Sequence, residues 1–195
     1  MSIESQKLEY RQRMRTLRGA LSSDQQNQVS ASLSKYYQQQ LAHYQSKKIA
    51  IYLQHDNEAG TAELIQHLFS EDAELYLPKI ANSGQGNTMQ FIRYRSDTQM
   101  IDNRYGIAEP DSDETIDVQS LDMIFLPLTA FDKKGHRLGM GGGYYDRLLS
   151  SLDQNNAQPR LVGLAHDFQQ IERCPVESFD QRVHFVLTPS GLITI

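Results

Sequence analysis

Short apolar runs alternate with amphipathic segments along most of the chain, and this alternation predicts a mixed α/β fold. The apolar runs predict strands over residues 48–53, 74–78, 89–93, 122–126, 160–165, 183–187 and 192–195. The amphipathic segments predict helices at the start of the chain, from 22 to about 44, from 61 to 69 and from about 144 onwards. Because strands and helices alternate, the chain is expected to form an α/β sandwich around a largely parallel sheet.

Two of these helices begin with recognisable capping residues. Ser22 and Gln25 form a capping-box pattern, in which each side chain bonds the other residue's backbone N–H. Thr61 is expected to cap the next helix through its hydroxyl. The polar segments at 80–88 and 95–120 are predicted to be long loops.

The 195 residues include one cysteine, and the chain carries a formal net charge of −5. This length suits a single domain over residues 1–195 with its own core. The lone Cys174 excludes an intramolecular disulfide and a cysteine-cluster zinc site, and it favours a reducing compartment such as the cytoplasm. No apolar run is long enough for a membrane span or a secretory signal, so no membrane partner is expected.

The start of the chain is basic, although the protein as a whole is acidic. Residues 1–18 hold five Lys and Arg against two Glu. On a helical wheel, four of these cations form one stripe beside an apolar stripe that we expect to be buried: Lys7, Arg11, Arg15 and Arg18 beside Tyr10, Met14, Leu17 and Leu21. The cations either reach into a neighbouring anion site or form a solvated face. They are too few for the broad basic patch that nucleic acid requires, so no nucleic-acid partner is expected.

Four of the twelve glycines cluster at 139 and 141–143, in the segment FDKKGHRLGMGGGYYDRLL that begins at Phe131. The segment follows the predicted strand at 122–126, and parallel sheets bind ligands beyond the carboxyl ends of their strands. Glycines allow positive φ angles and present consecutive N–H groups to an anion, with Arg137 as an adjacent cation. The pattern matches neither a P-loop nor a dinucleotide fingerprint. The segment therefore predicts either an anion site, with phosphate as the natural ligand, or a flexible turn.

Three acidic residues are candidates for a functional site, and each has a simpler alternative. Asp146 either caps the helix after the glycines or binds Mg²⁺, which takes one or two carboxylates together with phosphate and water. Asp180 is a second candidate ligand or an ordinary turn former. Glu58, in the loop after the first strand, either accepts hydrogen bonds from a substrate's N–H groups or is a surface acid.

Adjacent tyrosines open the helix that follows the glycines. Tyr144 and Tyr145 either stack on a flat heterocycle or pack in the core. The histidines at 136, 166 and 184 lack the spacing of a metal site, and Cys174 has no basic neighbour except Arg173. We therefore expect neither a catalytic triad nor an activated thiol.

With these residues in view, nearly the whole chain resembles the 5-formyltetrahydrofolate cyclo-ligase family, also called methenyltetrahydrofolate synthetases. The resemblance is carried by Lys7 and Arg11 in a K-x-x-x-R pattern, by Glu58, by LPLTAFDKKGHRLGMGGGYYDR over 126–147, and by PVESFD ending at Asp180. It implies a three-layer α/β sandwich with a largely parallel central sheet, similar to the ribose-phosphate isomerase and CoA-transferase group. It also implies an ATP- and Mg²⁺-dependent conversion of 5-formyltetrahydrofolate to 5,10-methenyltetrahydrofolate, with release of ADP and phosphate.

The resemblance also implies roles for individual positions. Asp146 and Asp180 resemble the Mg²⁺ ligands of the family. Leu53, Glu58 and Tyr144 resemble its contacts to folate, with or without a polyglutamate tail. The positions that resemble the ATP-binding set are Lys7, Arg11, Arg137, Leu138, Gly139, Met140, Gly141, Gly142, Gly143, Tyr144 and Tyr145.

The expected chemistry explains why no protein nucleophile is needed. The formyl oxygen is a poor leaving group, so ATP phosphorylates it to an imidate-like phosphate that N10 of the folate then attacks. Lys7, Arg11 and Arg137 are expected to be the catalytic cations, which neutralise charge on the transferred group. Some relatives carry Arg and Lys where this chain has Met140 and Gly142.

Two other function classes are consistent with the same residues. An isomerase or acyl-transfer enzyme on a similar fold would bind a sugar phosphate or CoA at the glycines, and it would need neither ATP nor Mg²⁺. A non-catalytic folate- or nucleotide-binding protein would bind both ligands without turnover.

Overall fold

The computed structural model describes residues 2–80, 88–152, 155–177 and 180–195. Most of the loop predicted at 80–88 lies outside the described residues. The helices are α1 (Ile3–Gly19), α2 (Ser23–Gln40), α3 (Ala62–Ser70) and α4 (Tyr144–Leu149). The strands are β1 (Lys48–Ala50), β2 (Glu74–Ile80), β3 (Met89–Tyr94), β4 (Met100–Asp102), β5 (Ala108–Pro110), β6 (Thr115–Ile116), β7 (Met123–Pro127), β8 (Ala130–Phe131), β9 (Arg137–Leu138), β10 (Arg160–Leu164), β11 (Phe185–Thr188) and β12 (Gly191–Thr194).

A sheet of eight strands, in the order β12-β11-β10-β7-β1-β2-β3-β6, forms the centre of the structure. The strands from β11 to β2 in this order run parallel to one another. The outer strands β12, β3 and β6 are antiparallel to their neighbours. The prediction of a largely parallel central sheet is therefore confirmed.

Both faces of the sheet are covered, as its apolar strands require. Side chains alternate between the faces along β1, where Ile49 faces one core and Ala50 the other. Helices α2 and α3 pack on the first face, and α4 with residues 118–121 packs on the second. The result is the predicted three-layer α/β sandwich.

Helix α1 does not pack on the sheet itself. Its buried Met14 lies in a separate small core with Ala130, Leu138 and Cys174. Ala130 and Leu138 are paired across the β8–β9 hairpin, which carries the glycine-rich turn at its end. Packing on this hairpin brings α1 alongside the turn.

The predicted division of α1 into a buried apolar stripe and a flanking basic stripe is wrong in part. Leu17 is 36 % exposed, whereas Arg18 is 1 % exposed and Lys7 is also buried. The helical wheel assigns apolar residues to the interior, but these two cations reach carboxylates that a wheel does not include. Their ion pairs compensate for part of the lost hydration.

Several predicted boundaries and one cap also differ from the structure. Strand β1 ends at Ala50, before the predicted limit at 53, and α2 ends at Gln40, followed by a short 3₁₀ turn at Ala42–Tyr44. Ser22 forms its predicted capping box with Gln25. Thr61 occupies the N-cap position of α3, but its hydroxyl donates to Tyr52 O at 2.8 Å instead of capping the helix.

The segment 95–120 is not the long loop that its polarity predicts. It contains the β4–β5 hairpin, whose strands pair Met100 with Pro110, and the short strand β6. Two- and three-residue strands are too short for an alternation pattern to reveal them. In the described parts of the chain, no helix has the length and apolarity to span a membrane.

Gly163 offers a test of the close packing on the second face of the sheet. A Cβ atom at Gly163 would lie 2.5 Å from Leu128 Cδ1, in the middle of a buried strand. We expect Gly163→Ala to lower the free energy of unfolding by about 1–3 kcal/mol because the core is overpacked. Urea denaturation measures this change, and Gly19→Ala is the control, since nothing lies within 4 Å of its added methyl group.

Candidate active site

The glycine-rich turn joins β9 to α4 and is shaped by two different constraints on glycine. Gly141 has a φ of 107°, a region in which a side chain is strained. A Cβ at Gly142 would lie 2.7 Å from the ring of Tyr144. The turn therefore needs these glycines for its conformation, which favours a built site over a flexible turn.

Arg11 reaches from α1 onto this turn. Its Nε donates to Gly139 O at 3.0 Å. The guanidinium carbon lies 3.3 Å from the place of a Cβ at Gly141, so the absence of a side chain makes room for the cation. The structure thus brings together the first helix and the glycines that the sequence analysis assigned to one anion site.

Lys7 lies one helical turn before Arg11 and is buried among acidic groups. Its Nζ is 2.6 Å from Glu177 Oε2 and 3.8 Å from Asp180 Oδ2. The backbone N–H of Glu177 donates to the same Asp180 oxygen at 2.8 Å. Lys7 is therefore held in the interior by the segment that contains the second predicted Mg²⁺ ligand.

Arg137, in β9 just before the turn, supplies a third cation. It is 5 % exposed, and its NH2 donates to Asp146 Oδ1 at 2.6 Å. Its Nε has no hydrogen-bond partner among the residues that the structure describes. A buried donor without a partner is unfavourable, so this group is poised to bind a further acceptor.

Asp146 and Asp180 are brought to the same region. The backbone N–H of Gln181 lies 3.4 Å from Asp146 Oδ1, which places the residue after Asp180 against Asp146. Among the described residues, no three His, Cys, Asp or Glu side chains form a group that holds a metal by protein ligands alone. Two carboxylates near a phosphate site suit Mg²⁺, which keeps several waters and binds substrate phosphates.

Glu58 lies in a tight turn after β1 and is not the surface acid considered above. Asp56 and Asn57 both have positive φ angles, of 47° and 53°, and the Glu58 N–H donates to His55 O at 3.0 Å. Asp and Asn tolerate this left-handed conformation better than most residues. The turn directs Glu58 inward, where only 9 % of it is exposed.

The buried position of Glu58 changes its acidity. Burial raises the pKa of Glu58 to about 7, while the nearby Arg18 charge and a hydrogen bond from the His55 N–H oppose the rise. Glu58 is therefore close to equal amounts of both protonation states at neutral pH. A buried carboxyl group with a pKa shifted in this way is a candidate for a binding or catalytic role.

The two tyrosines after the glycines have different surroundings. The Tyr144 hydroxyl accepts from Arg104 NH2 at 3.1 Å and lies 3.3 Å from the Tyr105 hydroxyl. Tyr145 turns toward the core, where its ring packs 6.5 Å from that of Phe91. Burial, and then the charge of Glu58, raise the pKa of Tyr145.

The remaining candidate residues from the sequence differ in how deeply they are buried. Leu53 packs against the core on the α2 and α3 face of the sheet, at the start of the Glu58 turn. Leu138 is buried in the core under α1, and Met140 is 45 % exposed. Burial raises the pKa of Cys174 to about 12, so its thiol is a poor nucleophile at neutral pH.

Sequence reasoning missed Glu177 and the pair of Arg18 with Asp56. Glu177 is the closest partner of Lys7, and Arg18 NH2 donates to Asp56 Oδ2 at 2.7 Å. The position of Glu177 inside the PVESFD segment was the one available signal for it. Nothing local pairs Arg18 with Asp56, because the two residues come from distant parts of the chain.

The family model described as the 5-formyltetrahydrofolate cyclo-ligase family matches residues 3–189. The chain belongs to this family. It is 39 % identical over 172 residues to the 5-formyltetrahydrofolate cyclo-ligase of Haemophilus influenzae, covering 87 % of this chain and 90 % of the relative. The Escherichia coli K12 cyclo-ligase is 36 % identical over 182 residues, covering 92 % of this chain and 96 % of the relative.

Solved structures of methenyltetrahydrofolate synthetases have the same fold. The Aquifex aeolicus 5,10-methenyltetrahydrofolate synthetase aligns with a TM-score of 0.81 at 30 % identity, covering 96 % of this chain and 92 % of the other. The Mycoplasma pneumoniae protein aligns with a TM-score of 0.73 at 23 % identity, covering 94 % and 98 %. The cyclo-ligase resemblance in the sequence is thus confirmed, and the chain is an enzyme of this ligase class.

The pKa of Glu58 predicts a pH dependence of stability. A carboxyl whose pKa is raised from 4.5 to about 7 on folding binds more protons in the folded state between these values, so its contribution falls as pH rises. Glu58→Gln removes this contribution. We expect the stability of Glu58→Gln relative to the native cyclo-ligase to rise by about 3 kcal/mol from pH 4 to pH 8.

Urea denaturation of both proteins at each pH measures the effect, and the difference cancels the titration of all other groups. A stability difference that is the same at both pH values would show that Glu58 ionises like an exposed glutamate.

Proposed function

We propose that this cyclo-ligase uses ATP and Mg²⁺ to convert 5-formyltetrahydrofolate to 5,10-methenyltetrahydrofolate, with release of ADP and phosphate. The observation that carries the proposal is the contact of Arg11 with Gly139 and its approach to Gly141. This contact joins the two parts of the sequence that resemble the family's nucleotide site. The proposed ATP-binding set is the basic pair of α1 together with residues 137–145.

Three features support the binding of a triphosphate in this place. Lys7 and Arg11 supply positive charge from α1 and Arg137 supplies it from β9, and Arg137 Nε lacks a partner among the described residues. A cavity of about 640 Å³ opens between residues 3–13 of α1 and residues 173–176, and the basic side chains that line it are Arg13 and Arg173. It lies against the same helix that carries Lys7 and Arg11, and it gives room for further parts of a nucleotide.

We assign Mg²⁺ to Asp146 and Asp180. Both are carboxylates next to the proposed phosphate site, and a segment that ends at Gln181 brings them together. When bound, the ion supplies a positive charge that stabilises the transferring phosphate. Asp146 also pairs with Arg137, and Asp180 lies near Lys7, so each carboxylate would contact both the ion and a cationic side chain.

The proposed reaction needs no protein nucleophile, because both reacting atoms belong to the folate. The formyl oxygen attacks the γ-phosphorus, the bond from that phosphorus to ADP breaks, and an imidate-like phosphate forms on the formyl group. N10 then attacks the formyl carbon and loses its proton, and inorganic phosphate leaves with the former formyl oxygen. Lys7, Arg11 and Arg137 neutralise the charge that develops on the transferred group.

We assign recognition of the folate to the other end of the site. Glu58 accepts hydrogen bonds from the N–H groups of the pterin, while Leu53 and Tyr144 supply apolar and aromatic contacts. The partly exposed Tyr144 leaves space for a polyglutamate tail to extend into solvent. A cytoplasmic location, argued from the lone Cys174, is part of the proposal.

Omission of each component tests the overall reaction. We expect methenyltetrahydrofolate, followed by its absorbance, to form only when ATP and Mg²⁺ are both present, with one ADP released per product. Removal of Mg²⁺ with EDTA is expected to stop turnover, and added Mg²⁺ to restore it. Product formed without ATP would favour the isomerase or acyl-transfer alternative, and binding of both ligands without product would favour the non-catalytic one.

Arg11 gives a test of the phosphate assignment. We expect Arg11→Ala to lower turnover by at least about tenfold with the fold intact, a loss of roughly 1.4 kcal/mol or more of transition-state stabilisation. Arg15→Ala is the matched control, because Arg15 lies one turn further along α1 and its side chain is 70 % exposed. We expect near-native kinetics for the control, and near-native kinetics for Arg11→Ala would refute the role of Arg11.

A further inference from the structure

Arg18 is the most deeply buried cation of α1, and the proposed reaction gives it no role. It is 1 % exposed, and its NH2 donates to Asp56 Oδ2 at 2.7 Å. The same nitrogen lies 3.8 Å from Met140 Sδ, in the glycine-rich turn. Within the part of the chain that the structure describes, its Nε and NH1 have no hydrogen-bond partner. A buried guanidinium with two unpaired nitrogens is costly for stability, so its retention calls for an explanation beyond helix packing.

The surroundings of Arg18 connect the two ends of the site. Asp56 belongs to the turn that directs Glu58 inward, and Met140 belongs to the turn that Arg11 contacts. The charged and titratable groups that face Glu58 come from each element around it. They are Arg18 of α1, His55 and Asp56 of its own turn, Tyr52 after β1, Tyr145 of α4 and His166 after β10. His166 contacts the backbone of the Glu58 turn.

Arg18 is a deeply buried cation beside these groups. Burial raises the pKa of Tyr52 and of Tyr145 and lowers the pKa of His166, which favours the uncharged form of each of these rings. The Asp56 ion pair uses one nitrogen of the guanidinium and fixes its position. The positive charge of Arg18 therefore acts on Glu58 from a rigid, water-excluded place.

We propose that Arg18 is a positioning residue, which favours the ionised form of Glu58 so that Glu58 accepts hydrogen bonds from the N–H groups of the pterin. This inference rests on the proposed role of Glu58 in folate binding. Arg18 itself stays beneath the site and touches no substrate. A protonated Glu58 would present a donor to the N–H donors of the pterin, so the charge of Arg18 decides whether the two groups are complementary.

The acidities of two neighbours are consistent with this role. Burial raises the pKa of Glu58 to about 7, and the charge of Arg18 is the largest effect that opposes the rise. Burial lowers the pKa of His166, the contact of its Nε2 with Asn57 O at 3.1 Å opposes this effect, and the charge of Arg18 lowers the pKa further. Loss of the Arg18 charge is therefore expected to raise both pKa values.

A titration of the ligand-free protein tests the coupling directly. Carbon-13 NMR of the glutamate carboxyls follows Glu58, assigned by its absence in Glu58→Gln, and proton NMR follows the His166 ring. We expect Arg18→Met to move the midpoint of Glu58 upward by about one pH unit or more and to raise that of His166. Arg18→Lys, which keeps the charge, is expected to keep the Glu58 midpoint closer to native than Arg18→Met does.

Arg15→Met is the matched control for these variants. Arg15 Nε also pairs with Asp56 Oδ2, at 3.3 Å, but its side chain is 70 % exposed, and water screens its charge. We expect the control to leave the Glu58 midpoint unchanged. If Arg18→Met does not fold, the double variant Arg18→Met/Asp56→Asn removes both members of the ion pair and leaves no unpaired buried charge. The charge of Asp56 itself raises the pKa of Glu58, so the upward shift is expected relative to Asp56→Asn alone.

Kinetics then test whether the effect of Arg18 on Glu58 matters for folate binding. In the native enzyme we expect the KM for 5-formyltetrahydrofolate to fall as pH rises through 7. In Arg18→Met we expect KM to be raised about fivefold at pH 7, as follows from a one-unit shift, and to recover at higher pH with little change in kcat.

An unchanged Glu58 midpoint in folded Arg18→Met overturns the proposal, because Arg18 then serves only packing. A shifted midpoint with a KM that is equally raised at all pH values also overturns it, because the ionisation of Glu58 then has no part in folate binding. If the midpoint shifts but no variant, nor the native protein, forms product, the coupling is confirmed and the failure belongs to the proposed function.

Discussion

Buried positive charge determines how α1 sits on the rest of the molecule. Lys7 and Arg18 are enclosed, and each needs a carboxylate from a distant segment, Glu177 and Asp56 respectively. A buried cation without its partner is strongly unfavourable, so α1 docks only where these carboxylates are present. The small apolar core around Met14 adds packing to the same contact. The proposed site is therefore complete only when α1 is docked.

This arrangement makes α1 the element that joins the two ends of the site. Lys7 and Arg18 are separated by eleven residues of helix, which corresponds to about 16 Å along its axis. The Lys7 end meets the segment around Asp180, the middle meets the glycine-rich turn through Arg11, and the Arg18 end meets the turn that carries Glu58. A nucleotide and a folate bound at opposite ends would meet along this helix.

The sequence predicted the sheet and the helices well, because those elements follow from apolar periodicity over many residues. It failed for the short strands in 95–120, which have too few residues for a pattern, and for the burial of Lys7 and Arg18. A helical wheel assigns a cation to the solvent-exposed face. A cation is buried only when a carboxylate from a distant segment pairs with it, and a wheel does not include such a partner. The glycine block and the K-x-x-x-R pattern indicated the proposed site, but the pairing of Arg18 with Asp56 depends on the folded chain.

The central claim is that α1 and the glycine-rich turn bind one triphosphate between them. An amide NMR titration of the protein with Mg²⁺ and a non-hydrolysable ATP analogue tests it most directly. We expect the largest shifts at the N–H groups of residues 139–143 and in α1 around Lys7 and Arg11, saturating together at one ligand concentration. Shifts that leave the glycine-rich turn unchanged, or that saturate separately in the helix and the turn, would contradict a single shared site.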